Sequence, residues 1–282
     1  MSSAANYTAE RVTRDGVEVV RLSDATNKTE VAILPSAGNL AFEMKVNGKD
    51  IFSFPSTNLA AFREKPSFSG NPFMAPWANR LDHEGFYANG KHYSLDPGLK
   101  NLRLDGNKKP IHGLLAHASE WNVVSVKADT SHAEVISRLE FFRHPDYMAQ
   151  FPFAHTIDMV HRLRDGVLEV EVILQNHAVV AMPVSIGFHP YFRLHDAPRD
   201  EWKVVLPARE HLILSKELIP TGETEPVAHT GVVSLAGAQL DDVYGNLTRG
   251  ESGRAEFSVQ GKKEKISVLF GPKYPIAVVY AP

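Results

Sequence analysis

Ala133-Glu134-Val135-Ile136-Ser137-Arg138-Leu139-Glu140-Phe141-Phe142, Phe153-Ala154-His155-Thr156-Ile157-Asp158-Met159-Val160-His161-Arg162-Leu163 and Val167-Leu168-Glu169-Val170-Glu171-Val172-Ile173-Leu174-Gln175 decide the fold class. Each run is strand length, and β-branched and aromatic residues recur at alternate positions, the period of a strand with one buried face. Arg164-Asp165-Gly166 supplies turn chemistry between the last two runs, and a further run, Trp121 to Val126, precedes the first. Successive strands at hairpin spacing, with few helical periods between them, predict an all-β fold: a large antiparallel β-sandwich, not a parallel α/β sheet.

The same pattern extends outward in both directions. Towards the N-terminus, Arg11-Val12-Thr13, Val17 to Leu22 and Thr29 to Ile33 are separated by Asp15-Gly16 and Asp24-Ala25-Thr26-Asn27. Leu40 to Val46 and Ile51-Phe52 flank Asn47-Gly48-Lys49-Asp50, and Gly85 to Leu95 reads as strand, Asn89-Gly90 turn, strand. Asx-Gly pairs favour the two-residue turns that match the twist of antiparallel strands. Towards the C-terminus, Lys203 to Leu214 gives one or two strands and Ile219-Pro220-Thr221-Gly222-Glu223 a turn. Ala255 to Val259, Lys265 to Phe270 and Ile276 to Tyr280 close the series. The 282 residues show no linker composition, so a single domain over 1–282 is expected, since large β-sandwiches form one unit at this size.

The charge balance, a formal net charge of -3, gives no strong overall draw towards nucleic acid or an anionic membrane surface. Without cysteine there is neither a disulfide framework nor a thiolate nucleophile. A metal site would need histidine and carboxylates, but the 13 histidines are scattered singly and no HExxH occurs, so no metal and no cofactor are expected. Met1-Ser2-Ser3-Ala4-Ala5-Asn6-Tyr7 lacks the basic start and apolar core of a secretory signal, and no run approaches the roughly 20 apolar residues of a membrane span. A cytoplasmic protein, monomeric or homodimeric, with a neutral or modestly charged small-molecule partner fits these features. Phosphate-cradling glycine loops, GxSxG elbows, internal repeats and nucleic-acid motifs are absent from the sequence.

Three places stand out as candidates for chemistry. Met182-Pro183-Val184-Ser185-Ile186-Gly187-Phe188-His189-Pro190-Tyr191-Phe192 reads as an apolar strand that stops at Pro190, which puts His189 at a sheet rim among flat aromatic surfaces. Pro76-Trp77-Ala78-Asn79-Arg80 ends a long irregular stretch, residues 53–76, of the kind that commonly carries function. There a packed Arg80 serves either a buried ion pair or a hydroxyl-rich or carboxylate ligand. Ile111-His112-Gly113 places a histidine beside a glycine that lets the backbone turn sharply or approach a ligand. Taken singly, His112 and His189 read equally as structural hydrogen-bonders. In Leu240-Asp241-Asp242-Val243-Tyr244 the adjacent carboxylates face opposite ways on a strand, so at most one addresses a shared pocket.

Taken together, Asn79-Arg80, Ile111-His112-Gly113, Phe151-Pro152-Phe153, Gly187 to Phe192, Pro220-Thr221-Gly222 and Leu240-Asp241-Asp242 resemble, in order and rough spacing, the aldose 1-epimerase (galactose mutarotase-like) family. The resemblance runs from about residue 30 to the C-terminus. It implies a supersandwich of large antiparallel sheets with a sugar bound in an open cleft, and cofactor-free interconversion of the α and β anomers of a free aldose. His189 matches the family's general acid. His112 matches the second histidine, which helps hold the ring oxygen and neighbouring hydroxyls. Arg80 and Asp241 match sugar-hydroxyl ligands, with Asn79 beside them a weaker match.

The chemistry accounts for these residue types. Opening a pyranose takes a base to remove the C1 hydroxyl proton and an acid to protonate the ring oxygen; the aldehyde then rotates about C1–C2 and recloses. Histidine donates and recovers a proton near pH 7 without large tuning. One feature departs from the family pattern. The family's general base is a glutamate beyond a segment like Pro275 to Tyr280, whereas this sequence ends at Pro282, and Glu251, Glu256 and Glu264 precede that segment. The expectation is a chain that lacks its last strand or strands, and with them the base. Three other readings stand beside the epimerase. One is a carbohydrate-binding protein that keeps the cleft without the chemistry, and another a hexose-6-phosphate 1-epimerase, disfavoured by Pro190. The third, a metal hydrolase using His112 and His189, has no evident third ligand.

Overall fold

The computed structural model describes residues 6–227 and 231–282. The N-terminal residues read above for a secretory signal lie, as far as Ala5, outside that range. The chain divides into two compact units, one ending at Phe192 and one from Arg193 to Pro282.

In the first unit, β1 (Tyr7–Arg14), β2 (Val17–Asp24), β3 (Thr29–Leu34), β4 (Leu40–Val46) and β5 (Lys49–Asp50) form an antiparallel meander in sequence order. The Asp15-Gly16 pair turns with φ of 53° and 75°, the double positive φ that a type I′ turn requires. Helix α1 (Leu59–Glu64) follows, capped by the Asn58 side chain, which accepts from the Ala61 N–H at 2.8 Å. The one-turn helix falls inside the stretch read from sequence as irregular; it buries only Leu59 and Phe62, too few positions to show a period. After β6 (Phe73–Met74) comes the hairpin β7 (Gly85–Ala88) and β8 (Lys91–Ser94), turning at Asn89-Gly90 as read.

The deciding runs form a second antiparallel sheet, β9 (Asn122–Ala128), β10 (Ala133–Glu140), β11 (His155–Arg164) and β12 (Val167–Asn176), in the order β12-β11-β10-β9. Helix α2 (Pro145–Gln150) connects β10 to β11. On β11 the odd positions Ile157, Met159 and Leu163 are wholly buried, and His155 and His161 share that face. The two sheets face each other: Val20, Leu22, Val31 and Ile33 of the first pack with Val135 and Leu163 of the second. A further cluster sets Phe73, Phe141 and Phe153 against Ile157 and Met159, each such side chain stabilising by about 1.5–3 kcal/mol when fully buried.

One expectation is corrected here. Residues 182–192 are not one strand: Gly187–Phe188 forms the two-residue strand β13, paired with β6, and Ser185 and Phe192 make isolated bridges to Trp77 and Phe52. Pro183 and Pro190 bracket the run and remove ladder donors, so the rest is held by single contacts. His189 N–H donates to the Pro72 carbonyl at 2.9 Å and Tyr191 N–H to the Gly70 carbonyl at 2.8 Å.

The second unit contains two four-stranded antiparallel sheets. One has the order β17-β14-β19-β20, from β14 (Lys203–Leu206), β17 (Gly231–Ser234), β19 (Ala255–Gln260) and β20 (Lys265–Phe270). The other has the order β16-β15-β18-β21, from β15 (Ala208–Leu214), β16 (Pro220–Pro226), β18 (Leu240–Leu247) and β21 (Ala277–Ala281). Val204, Leu206, Tyr244, Phe257 and Ala277 meet in one cluster drawn from both sheets. Residues 203–214 make two strands in different sheets, because Pro207 interrupts the run. The turn expected at 219–223 lies earlier. Ser215 N–H donates to the Ile219 carbonyl at 2.8 Å while Leu218 takes φ of 60°, and residues 220–226 are an exposed edge strand.

Candidate active site

Within the first unit the fold brings Asn79, Arg80, His112 and His189 into one neighbourhood. Three short segments meet there. The segment 70–78 is zipped to 185–191 through β6 and β13, and residues 75–81 run beside 110–115. His112 N–H donates to the Asn79 carbonyl at 2.9 Å, Leu81 N–H to the Pro110 carbonyl at 2.9 Å, and Leu114 N–H to the Ala75 carbonyl at 2.7 Å. The crossing is so close that a Cβ on Gly113 would sit 2.1 Å from the Ala75 carbonyl oxygen, at φ of 66°. Glycine is the residue that fits. His112 itself has φ of 66° and Asn79 φ of 56°, left-handed conformations that cost a histidine of order 1–3 kcal/mol and concentrate at functional sites.

The two histidine rings meet edge to face, 5.3 Å between centroids. Phe68 stacks on His112 at 4.8 Å and presents an edge to His189 at 5.7 Å, while Tyr191 stacks on His189 at 4.8 Å. Burial holds the His112 pKa far below its ordinary value, at about 3, with the charges of His189, Arg103 and Arg80 acting in the same direction. His112 is therefore neutral at pH 7. Its Nδ1 is buried with no hydrogen-bond partner among the described residues.

Arg80 combines the two readings that its sequence context allows. Nε donates to Asp105 Oδ2 at 2.7 Å, a nearly buried ion pair, and Nη1 donates to Asn79 Oδ1 at 3.2 Å. Among the described residues Nη2 has no partner, so part of the guanidinium fork is still able to meet a ligand. Asp105 also accepts from the backbone N–H groups of Asn107 at 2.8 Å and Lys109 at 2.9 Å. Burial raises its pKa, but these bonds and Arg80 outweigh that and hold it below the usual carboxylate range.

Asp241 belongs to the second unit, on β18 opposite Tyr280 of β21. Its neighbour Asp242 is paired with His211 Nε2 at 3.1 Å, and His211 Nδ1 lies 2.9 Å from Glu225 Oε1. The adjacent carboxylates thus differ in use: Asp242 serves a cross-strand cluster. Three residues of the site region escaped the sequence reading: Phe68, Arg103 and Asp105. The Asp105-Gly106-Asn107 turn was the one available signal, and it marks a turn without naming its partner. Among the described residues no group of three or more histidines and carboxylates could hold a metal ion, and no helix is long and apolar enough to cross a membrane.

The antiparallel β architecture is that of solved galactose mutarotase-like proteins. The chain belongs to the aldose 1-epimerase family, whose pattern matches residues 19–282. It resembles the uncharacterized protein YihR of Escherichia coli K12, with 29% identity over 149 residues, 52% of this chain and 44% of that one. The match thus spans less than half the length of that relative. Among solved structures, a galactose mutarotase-like protein from Clostridium acetobutylicum superposes with a TM-score of 0.84 at 18% identity, over 98% of this chain and 84% of that one. A galactose 1-epimerase from Lactobacillus acidophilus gives 0.72 at 15% identity, over 93% and 79%. At such identities the likeness is one of fold.

Proposed function

We propose that this protein interconverts the α and β anomers of a free hexose by acid–base opening and reclosure of the ring. The observation that carries this reading is the pair of imidazoles at 5.3 Å, one of them held neutral by burial. Two titratable groups whose environments differ divide the acid and base labour of a site. A neutral His112 cannot be the proton donor; it offers a hydrogen bond to the ring oxygen and adjacent hydroxyls. The acid role then falls to His189. Arg80, with Nη2 available, holds a hydroxyl remote from C1 so that the aldehyde recloses before leaving, and Asn79 is fixed beside it. Asp241 is proposed as a second hydroxyl ligand on the family resemblance alone.

The general base is assigned to no glutamate of this sequence. Glu256 is engaged by Lys265 at 2.8 Å and Ser267 at 2.7 Å, and Glu264 accepts the His195 N–H at 2.6 Å. This favours, as a second reading, a sugar-binding protein without turnover. Polarimetry on the protein with freshly dissolved α-glucose and α-galactose separates the two. Accelerated mutarotation supports the epimerase; saturable sugar binding with only the spontaneous rate supports the binding protein.

A further inference from the structure

Catalytic histidines are commonly oriented by a hydrogen bond on the nitrogen that does not face the substrate. Among the described residues His112 has no such bond on Nδ1. Its ring is instead held by packing, and the ring stacked on it, Phe68 at 4.8 Å and 27°, also touches His189 edge-on. Phe68 is itself covered by a cation: the Arg103 guanidinium carbon lies 4.1 Å from its ring centroid, well within cation–π range.

The placement of Arg103 is built into the backbone. Ile111 N–H donates to the Arg103 carbonyl at 2.9 Å, so the residue before His112 is tied to Arg103. The turn that returns the chain from 105 to 109 is closed by Asp105, which also grips Arg80. Arg103 is solvent-exposed, and among the described residues its side chain has no carboxylate partner.

We propose that Phe68 and Arg103 form a positioning device for His112, in which the aromatic stack fixes the imidazole plane against His189 and the guanidinium on that stack disfavours a second positive charge there. The proposal rests on the acid–base reading above and deepens it. Repulsion between cations explains the economy of the arrangement. The charged groups around His112 are His189, Arg80 and Arg103, with His117 edge-on to Phe68 at 5.5 Å, and Asp105 is already neutralised by Arg80. The charges that act on His112, those of His189, Arg103 and Arg80, are all positive, so the ring stays uncharged and able to accept or donate a hydrogen bond without competing with His189 for the proton.

The test is a charge series read by NMR, with kinetics beside it. The His112 ring resonances, assigned by their loss in His112→Asn, are titrated in the wild type, Arg103→Met and Arg103→Glu. The expected result is an upward step in the His112 pKa at each substitution, Glu giving the larger. An unchanged His112 titration across the series overturns the electrostatic half, whether or not the protein proves to be a mutarotase. For the stack, Phe68→Leu keeps apolar volume and loses the ring. Misplacement of one reacting group by about 1 Å costs up to roughly 100-fold, so a fall in kcat of about 10- to 100-fold with KM nearly unchanged is expected, and Phe68→Trp restores most of it. Wild-type kcat and unshifted His112 resonances in Phe68→Leu overturn the positioning role. If the wild type shows no mutarotation, the same resonance shift in Phe68→Leu still decides that role.

Discussion

In the first unit burial lowers the pKa of His112, His155 and His161, whereas in the second unit His211, half-buried like His112, lies between the carboxylates of Glu225 and Asp242. The packing around them differs in the same sense. The first unit has three apolar clusters with members such as Phe42, Phe141, Phe153 and Ile157 at zero exposure. The second has one cluster, and only Ala255 of its buried members reaches zero. A ring packed among aromatic neighbours, as His112 and His189 are, can be aimed to within the tolerance that proton transfer demands. His211 is held instead by two carboxylates on neighbouring strands, an arrangement that ties those strands together. The half-buried rings of the proposed site thus lie in the unit with the more deeply buried core.

The comparison breaks most sharply on the histidines themselves. His189→Ala is expected to reduce anomer exchange by about 10²–10⁴-fold, the usual worth of a positioned acid, with a modest change in sugar affinity. His211→Ala should leave turnover at the wild-type level. Arg80→Ala should weaken both turnover and affinity. A fully active His189→Ala removes the central claim.

Core truncations sharpen the contrast in packing. Phe153→Ala removes a ring that is wholly buried among Phe86, Tyr93 and Phe151, and about 3–5 kcal/mol of stability should go with it in urea unfolding. Phe257, at 6% exposure and with Phe270 as its ring partner at 4.7 Å, should cost less when cut to Ala. Equal losses would mean that the second unit is as firmly packed as the first.

The parts of this that the sequence showed are those governed by local rules. Alternation in 133–142, 153–163 and 167–175 predicted β10 to β12, and the Asx-Gly pairs predicted their turns, because period and turn chemistry are written in adjacent residues. Where the chain ran against local rules the reading slipped. The apolar run 182–192 promised a long strand, and its two prolines left a two-residue strand, Gly187 and Phe188, with isolated bridges at Ser185 and Phe192. Pro220-Thr221-Gly222 reads as a turn, yet tertiary pairing with β15 draws it into an edge strand and moves the turn to Leu218. In the site, His112, His189 and Arg80 were visible through their neighbours. Phe68, Arg103 and Asp105 were not, since stacking and ion pairing across 25 to 121 residues leave no mark in local sequence.

The smallest expected effect is also the most direct comparison of the two units, because acid should act on them in opposite directions. For His112 and His161 the folded pKa values lie at about 3 and about 4, below the unfolded 6.5, because burial penalises the charged ring. Below pH 6.5 the unfolded chain then binds more protons than the folded one, so their contribution is full above 6.5 and is lost as the pH falls towards 4 and 3. For His211 burial pulls the pKa down, but the hydrogen bonds to Glu225 and Asp242 outweigh it and the net shift is upward. Its folded form binds the proton more tightly, so its contribution is full below 6.5 and is lost as the pH rises through the raised value. Residue-resolved hydrogen exchange on the whole chain between pH 5 and 8, corrected for intrinsic rates, should show β11 gaining protection as pH rises and β15 losing it. His211→Gln should abolish the slope at β15 while leaving that at β11 intact. Parallel slopes in the two strands would show that the chain opens as one cooperative body, and that the division between a buried, aimed set of histidines and a strand-tying one has no separate thermodynamic consequence.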